Sequence, residues 1–161
     1  MKSGLYVFDS NSLRVLGNYY PGRFPTFWKR FEEAVAIGIV ASVREVYKEL
    51  ERQQRIGDTW LWDWLHEHRK LFLTPGPEET AFVARIFKVA HFRTLVGEQQ
   101  RLRGFPVADP FIVACAKIRK GCVVTEEAKK PNAAKIPNVC EHFGVECTNV
   151  EGFMAKNNWT F

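Results

Sequence analysis

The sequence predicts an α/β fold in which helices cover both faces of a central, mostly parallel sheet. Short apolar runs alternate with segments of helical periodicity along the whole chain. The 161 residues, 46% of them hydrophobic, match one domain with a sizeable core. No internal repeat, low-complexity segment or linker divides the chain. We therefore predict a single domain over residues 1–161.

The first third of the chain predicts two strands and two helices. Residues 5–8 are apolar and end at the polar turn DSNS, which predicts a buried first strand. Helical spacing of apolar residues predicts a helix over residues 24–37, which Gly38 ends. Residues 39–41 predict a second strand, and Ser42 begins the next helix.

The middle of the chain is mostly helical. Residues 60–65 predict a helix that carries three tryptophans, and residues 71–73 predict an edge strand. A Pro-Gly-Pro turn then leads into a helix over residues 78–92. A further helix is predicted over residues 95–103, and it is strongly basic at its end.

The last third has the clearest pattern. Asp109 and Pro110 are typical of a helix start, and that helix is predicted to run to Lys120. The elements that follow are a strand over residues 122–125, a helix over 137–143, a strand over 145–147 and a helix over 150–157.

Acidic residues follow the predicted strands. Asp9 comes directly after the first strand, and Glu126 and Glu127 come directly after the strand that begins at residue 122. Asp109 opens the helix before that strand, and Glu49 lies about two turns into the helix after the second strand. Ligands of open parallel sheets bind beyond the carboxyl ends of the strands. Hard divalent cations prefer carboxylate oxygens, so these positions indicate a metal site.

Each acid also has an ordinary structural explanation. Asp9 fits an Asx-turn or a helix cap, and Asp109 fits an N-cap. Glu49 could form ion pairs with Lys48 or Arg52 on a solvated helix face, and the two adjacent glutamates could be a charged turn. Taken together, the acids favour function, because acids gathered at one sheet edge repel one another without a cation.

Four segments in chain order resemble motifs of PIN domains. Residues 5–11, LYVFDSN, are similar to the opening hhhD[ST][SN] segment, and residues 42–50, SVREVYKEL, resemble the SxxxxxxEL segment. Residues 108–116, ADPFIVACA, resemble the [AS]DxxIxAxA helix, and residues 123–127, VVTEE, resemble hhTxD with Glu in place of Asp. Residues 135–140, KIPNVC, are similar to a prokaryotic PIN-like subfamily.

This resemblance implies a PIN-like three-layer α/β/α domain and a divalent-metal ribonuclease, often a toxin of the VapC type. It implies Mg²⁺ or Mn²⁺ as the cofactor, RNA as the substrate, an antitoxin protein as a partner, and a homodimer. Carried over residue by residue, the metal-binding and catalytic acids are Asp9, Glu49, Asp109 and Glu127, with Glu126 as the alternative to Glu127 and with Ser10 and Thr125 in support.

The charge of the chain is consistent with a polyanionic partner. Its formal net charge is +5 and its pI is near 9.1, which favours nucleic acid through long-range attraction. Arg101, Arg103, Lys129 and Lys130 flank the acid-bearing loops and could hold the RNA backbone. The alternative is that these four residues only make the surface soluble.

Two other functions compete with the nuclease. A PIN-like domain without catalysis could serve as a binding module for RNA or protein, although all four acid positions are acidic here. A phosphatase or another metal-dependent hydrolase on a similar sheet is less favoured, since the chain has neither a DxD motif nor a Gly-rich phosphate loop.

The cysteines do not form a recognisable metal or redox motif. Cys115, Cys122, Cys140 and Cys147 include no CxxC pair, and Cys115 and Cys122 are typical of small buried hydrophobes. Cys140, His142 and Cys147 match no zinc-binding spacing and lack a fourth ligand. Without a signal sequence or an apolar stretch of about 18 residues, we expect a cytoplasmic protein with reduced thiols and no membrane association.

Overall fold

The structure, a computed structural model, describes residues 4–53, 60–95 and 107–161. The strands in these ranges are β1 (Tyr6–Phe8), β2 (Val40–Val43), β3 (Phe72–Leu73), β4 (Cys122–Val124) and β5 (Glu146–Thr148). The α-helices in the same ranges are α1 (Ser10–Leu16), α2 (Pro25–Ala36), α3 (Arg44–Gln53), α4 (Trp60–Glu67), α5 (Pro77–Lys88), α6 (Ala108–Ile118), α7 (Ile136–Phe143) and α8 (Val150–Lys156). Two 3-10 helices cover Arg69–Leu71 and Ala90–Leu95.

The five strands form one sheet in the order β3-β2-β1-β4-β5. Every neighbouring pair is parallel, and Tyr6 of β1 pairs with Val40 on one side and Cys122 on the other. β1 is therefore the central strand. The predicted three-layer α/β/α architecture is confirmed, and the described sheet is parallel throughout rather than mostly parallel.

The core lies on both faces of this sheet. On one face, the ring of Phe8 meets Phe31 of α2 and Phe153 of α8 edge to face, with centroids 5.7 Å and 5.2 Å apart. On the other face, α6 packs against β1, β2 and β4, and its residues 112–116 are fully buried. Small side chains at Ala114 and Ala116 let this helix approach the sheet closely.

Several predicted boundaries are wrong. Ser42 does not begin a helix but lies in β2, where its hydroxyl donates to the carbonyl of Phe8 at 2.7 Å. The polar DSNS segment was predicted to be a turn, yet it begins α1, because the Asp9 side chain caps that helix. The helix predicted over residues 78–92 ends at Lys88, and a 3-10 helix follows.

Asp109 is not the cap of α6, although the sequence predicted it. The helix begins at Ala108, two residues before the start that an Asp109 cap would give, and Val107 occupies the cap position without a side-chain hydrogen bond. Asp109 therefore lies in the first turn, so its carboxylate is not needed to satisfy the helix N-terminus in the way a capping side chain would be.

The tryptophan-rich helix α4 is a packing element. Trp60 and Trp64 both meet Trp28 of α2, with ring centroids 5.2 Å and 5.1 Å apart, and Trp62 meets Tyr47 of α3 at 5.2 Å. The two sides of α4 thus contact two different helices. None of the helices in the described ranges has the length and apolar character needed to cross a bilayer. Apart from Leu95, the helix predicted over residues 95–103 lies outside the described residues.

Candidate metal centre at the carboxyl edge of the sheet

Asp9 lies at the point where the strand order reverses. The chain moves from β1 outward to β2 and β3, and it later returns to place β4 on the other side of β1. Open α/β sheets bind ligands at such a switch point, outside the carboxyl ends of the strands. Asp9 follows β1 directly, and its backbone N–H donates to the carbonyl of Val124 at the end of β4, at 3.0 Å.

The Asp9 side chain is buried and held at both oxygens. Asp9 is only 3% exposed to solvent. Oδ1 accepts the backbone N–H of Ser12 at 2.8 Å, and Oδ2 accepts the hydroxyl of Thr125. A carboxylate has about four lone-pair positions, so both oxygens retain capacity for a further ligand.

Ser12 supports Asp9 and was missed in the sequence. Its Oγ lies 3.0 Å from the carbonyl of Asp9 and 2.9 Å from the carbonyl of Val124, so this one hydroxyl joins the ends of β1 and β4. The resemblance pointed to Ser10 instead, which is buried at the start of α1. The signal was present, because a capping Asp bonds the N–H three residues further on.

Thr125 joins two of the predicted acids. Its hydroxyl donates to Asp9 and accepts the backbone N–H of Glu127 at 3.1 Å. Its own N–H donates to the carbonyl of Thr148 at 2.9 Å, which continues the pairing of β4 with β5. The resemblance implied a supporting role for Thr125, and the Thr125 side chain is in contact with Asp9.

The adjacent glutamates have different surroundings. Glu126 is exposed, and its Oε1 accepts the N–H of Val150 at 2.8 Å, at the start of α8. Glu127 is half-buried, and its Oε2 accepts the N–H of Ile136 at 3.0 Å, at the start of α7. The charge of Glu127 acts on both Asp9 and Asp109. The geometry therefore favours Glu127 as the member of the pair that joins the other acids.

Asp109 is the acid most affected by its neighbours. Burial and, in decreasing order, the charges of Glu127, Glu49 and Asp9 together raise its pKa to about 7. Lys135 acts in the opposite direction. Glu49, from α3, thereby belongs to the same electrostatic group as the other three, and Lys135 is a neighbouring cation that the sequence reasoning did not identify.

Burial also raises the pKa of Asp9 above its usual value. The hydrogen bonds from Thr125 and Ser12 act against burial, because they stabilise the carboxylate, and the charge of Glu127 acts with burial. We call Asp9, Glu49, Asp109 and Glu127 the acid cluster. Its members come from four separate parts of the chain.

The donors of the acid cluster suit a hard divalent cation. Carboxylate oxygens are the protein ligands that Mg²⁺ and Mn²⁺ prefer, and Mg²⁺ keeps several waters beside one or two of them. Among residues 4–53, 60–95 and 107–161, however, no group of three or more Asp, Glu, His or Cys side chains is already arranged to hold a metal ion.

The match to a sequence family covers almost the whole chain. Residues 6–161 match the family described as a domain of unknown function, DUF4411. The chain belongs to that family. The crystal structure of PAE2754 from Pyrobaculum aerophilum is similar to 88% of this chain over 97% of its own, with 16% sequence identity and a TM-score of 0.41. No curated protein matches this chain.

The predicted RNA-binding residues of this DUF4411 domain are only partly described. Lys129 pairs with Glu141 on the surface, which reduces its availability as a free cation. Lys130 is exposed, and its backbone carbonyl accepts the side chain of Asn138 at 2.7 Å. Arg101 and Arg103 lie outside the described residues.

Proposed function

We propose that this chain is a divalent-metal-dependent endoribonuclease that hydrolyses RNA phosphodiester bonds. The observation that carries the proposal is that the charges of Glu127, Glu49 and Asp9 all act on Asp109, while Asp9 itself lies at the switch point of the sheet. The chain around these acids has a formal net charge of +5. Four of the 18 acidic residues belong to this group, and a cation bound among them would offset the repulsion that otherwise lowers stability.

Asp9, Glu49, Asp109 and Glu127 would hold Mg²⁺ or Mn²⁺ in this proposal. A bound divalent metal supplies a more acidic water and neutralises charge that builds on the phosphodiester. Glu127 replaces the shorter Asp of the PIN motif, so its carboxylate reaches one methylene further. Glu127 is preferred to Glu126 because its charge acts on Asp9 and Asp109 and its backbone N–H bonds the Thr125 hydroxyl that holds Asp9.

The neighbouring residues would prepare the site. Thr125 and Ser12 fix the orientation of the Asp9 carboxylate, which is the kind of outer support that metal ligands need. Lys135 adds a positive charge beside Asp109 that can attract an RNA phosphate. Lys130, with Arg101 and Arg103, would extend that attraction along the RNA backbone.

RNA as substrate and the toxin role rest on the resemblance to PIN domains. The same resemblance extends the proposal to a protein antitoxin and to a homodimer. The four large apolar residues that are exposed in the described ranges offer surface for such partners: Tyr20, Phe24, Ile37 and Phe161.

The decisive experiment measures cleavage of a labelled structured RNA by the pure protein. The reactions contain Mn²⁺ or Mg²⁺, with EDTA as one control and an Asp9→Asn variant as the other. We expect cleavage that requires both the metal and Asp9. Cleavage that persists in EDTA, or with the variant, would contradict the proposed site.

The adjacent glutamates offer a matched pair of variants. Glu127→Gln removes a carboxylate of the acid cluster, whereas Glu126→Gln removes one that faces the start of α8. We expect the first variant to lose cleavage and the second to keep it. If the wild-type protein neither cleaves RNA nor is stabilised by Mn²⁺, a non-catalytic binding module is the better description.

A further inference from the structure

Two cysteines lie side by side on the edge of the molecule. Cys140 is in α7 and Cys147 is in β5, and their thiols share a hydrogen bond. Gly144, with a φ of 68°, turns the chain between them, and the N–H of Val145 donates to the carbonyl of Cys140 at 2.8 Å. The tight turn brings the segment that leads into β5 back against the end of α7, the part of the helix that carries Cys140.

The two thiols differ in their access to solvent. Cys147 is exposed on the edge strand, whereas Cys140 is buried behind it. The other two cysteines, Cys115 and Cys122, are both buried. An exposed thiol in contact with a buried thiol is the arrangement in which one sulfur meets an oxidant and the other reacts with the product.

We propose that Cys140 and Cys147 form an oxidation site, in which a peroxide oxidises Cys147 and Cys140 then closes an intramolecular disulfide. The proposal is independent of the nuclease activity, since it needs neither metal nor RNA. It assigns Cys147 as the attacking thiol and Cys140 as the resolving thiol.

The chemistry balances with hydrogen peroxide as the two-electron oxidant. The Cys147 sulfur attacks one peroxide oxygen, the O–O bond breaks, one water leaves, and Cys147 becomes a sulfenic acid. The Cys140 sulfur then attacks the Cys147 sulfur, the S–O bond breaks, and the departing hydroxide takes the Cys140 proton to leave as a second water. Two thiols and one peroxide thus yield one disulfide and two waters.

The acidity of the thiols supports these roles. The hydrogen bond from Cys140 lowers the pKa of Cys147 below its usual value, although burial and the charges of Asp9 and Glu127 oppose that effect. The same hydrogen bond raises the pKa of Cys140. Burial raises the pKa of Cys115 to about 12 and that of Cys122 to about 11. The thiolate is the reacting species, so Cys147 is favoured over the other cysteines.

The test treats the reduced, folded protein with limiting hydrogen peroxide and maps its thiols by mass spectrometry. Both cysteines lie in one tryptic peptide, residues 136–156, so the disulfide lowers the mass of that peptide by two hydrogens. Further cleavage after Glu141 separates Cys140 from Cys147 and leaves two fragments joined by the disulfide. We expect Cys147 to react at least about tenfold faster than Cys115 or Cys122.

Single substitutions separate the two roles. Cys140→Ser should leave a sulfenic acid on Cys147 that a cyclic 1,3-dione traps, and Cys147→Ser should prevent oxidation of Cys140. Cys115→Ser and Cys122→Ser are the matched controls and should form the disulfide as the wild-type protein does. The proposal is overturned if the wild-type chain forms only disulfides between molecules, or if Cys147 reacts no faster than the two control cysteines. The wild-type map decides this without any variant that has to fold.

Discussion

Two groups of buried or half-buried carboxylates in this molecule have opposite surroundings. Glu45 of α3 forms an ion pair with Arg44, and Glu79 of α5 forms one with Arg119. The N–O distance is 2.9 Å in each pair. The acid cluster instead meets hydroxyls, backbone N–H groups and other acids, with Lys135 as a neighbouring cation. The glutamate side chains are 2% and 5% exposed, so they are as deeply buried as Asp9.

Burial therefore does not distinguish Asp9 from the two arginine-paired glutamates, whereas the identity of the partner does. An arginine neutralises a buried carboxylate within the chain itself. Each paired glutamate keeps one oxygen, Oε2, without a hydrogen-bond partner among the described residues, but each also has its cation. The acid cluster has an excess of negative charge, which a bound cation would neutralise. Four predictions test this contrast.

The largest expected effect is on RNA cleavage. Asp109→Asn should reduce the rate by at least about 100-fold, because even residues behind metal ligands cost 10 to 100-fold when they are removed. Glu79→Gln, an equally conservative change at an arginine-paired acid, should leave the rate unchanged at temperatures where the variant is folded. Equal losses in both variants, measured by single-turnover cleavage, would remove the distinction between the two groups.

The second prediction concerns stability and pH without metal. The pKa of Asp109 is about 7 when folded against 3.8 in an unfolded chain, so the unfolded state loses its proton first as the pH rises. Below about pH 3.8, the wild-type protein and the Asp109→Asn variant should have similar free energies of unfolding. As the pH rises from there to about 7, the wild-type protein should become progressively less stable than the variant. Three pKa units correspond to about 4 kcal/mol, and solvent access reduces this to about 2 to 4 kcal/mol.

Urea unfolding in EDTA between pH 4 and pH 8 measures that difference. Added Mn²⁺ should reverse the order above pH 7, since it stabilises the wild-type protein and finds one ligand fewer in the variant. A stability difference that does not change with pH would show that burial and the neighbouring acids do not raise the pKa of Asp109.

The third prediction concerns the hydroxyl of Thr125. Thr125→Val removes the donor to Asp9 and the acceptor for the N–H of Glu127, so Mn²⁺ affinity should fall by about 10 to 100-fold. Thr125→Ser keeps the hydroxyl and should bind Mn²⁺ nearly as the wild-type protein does. Calorimetric titration of the three proteins makes the comparison. Equal affinities for all three would show that Thr125 does not prepare the site.

The smallest effect is expected at the arginine-paired glutamates. Arg119→Ala leaves the buried Glu79 carboxylate without its cation and should lower the free energy of unfolding by about 1 to 3 kcal/mol. Lys129→Ala removes an exposed pair with Glu141 and should change it by less than about 1 kcal/mol. Chemical denaturation at pH 7 compares the two variants. A larger loss for Lys129→Ala would contradict the role assigned to the buried pair.

Local pattern determined much of this protein. The sequence predicted all five strands to within about two residues, and the prediction was most direct for β1, β2 and β4, because a buried parallel strand needs consecutive apolar side chains. The local sequence pattern also placed acids at strand ends, and the resemblance to PIN domains grouped Asp9, Glu49, Asp109 and Glu127. The start of α6 was misplaced by two residues, since Asp-Pro is a good helix start in isolation, whereas the structure has Val107 at the cap and Ala108 as the first helical residue.

Tertiary structure decided what the local pattern left open. The order of the strands puts β1 beside β4, and only that pairing brings Thr125 to Asp9 across 116 positions of sequence. Packing directed Glu126 to α8 and Glu127 to the acid cluster, although the two are chemically identical neighbours. It also placed the buried Glu79 beside Arg119, 40 positions away in the sequence. These outcomes depend on contacts between distant segments, which no local periodicity encodes.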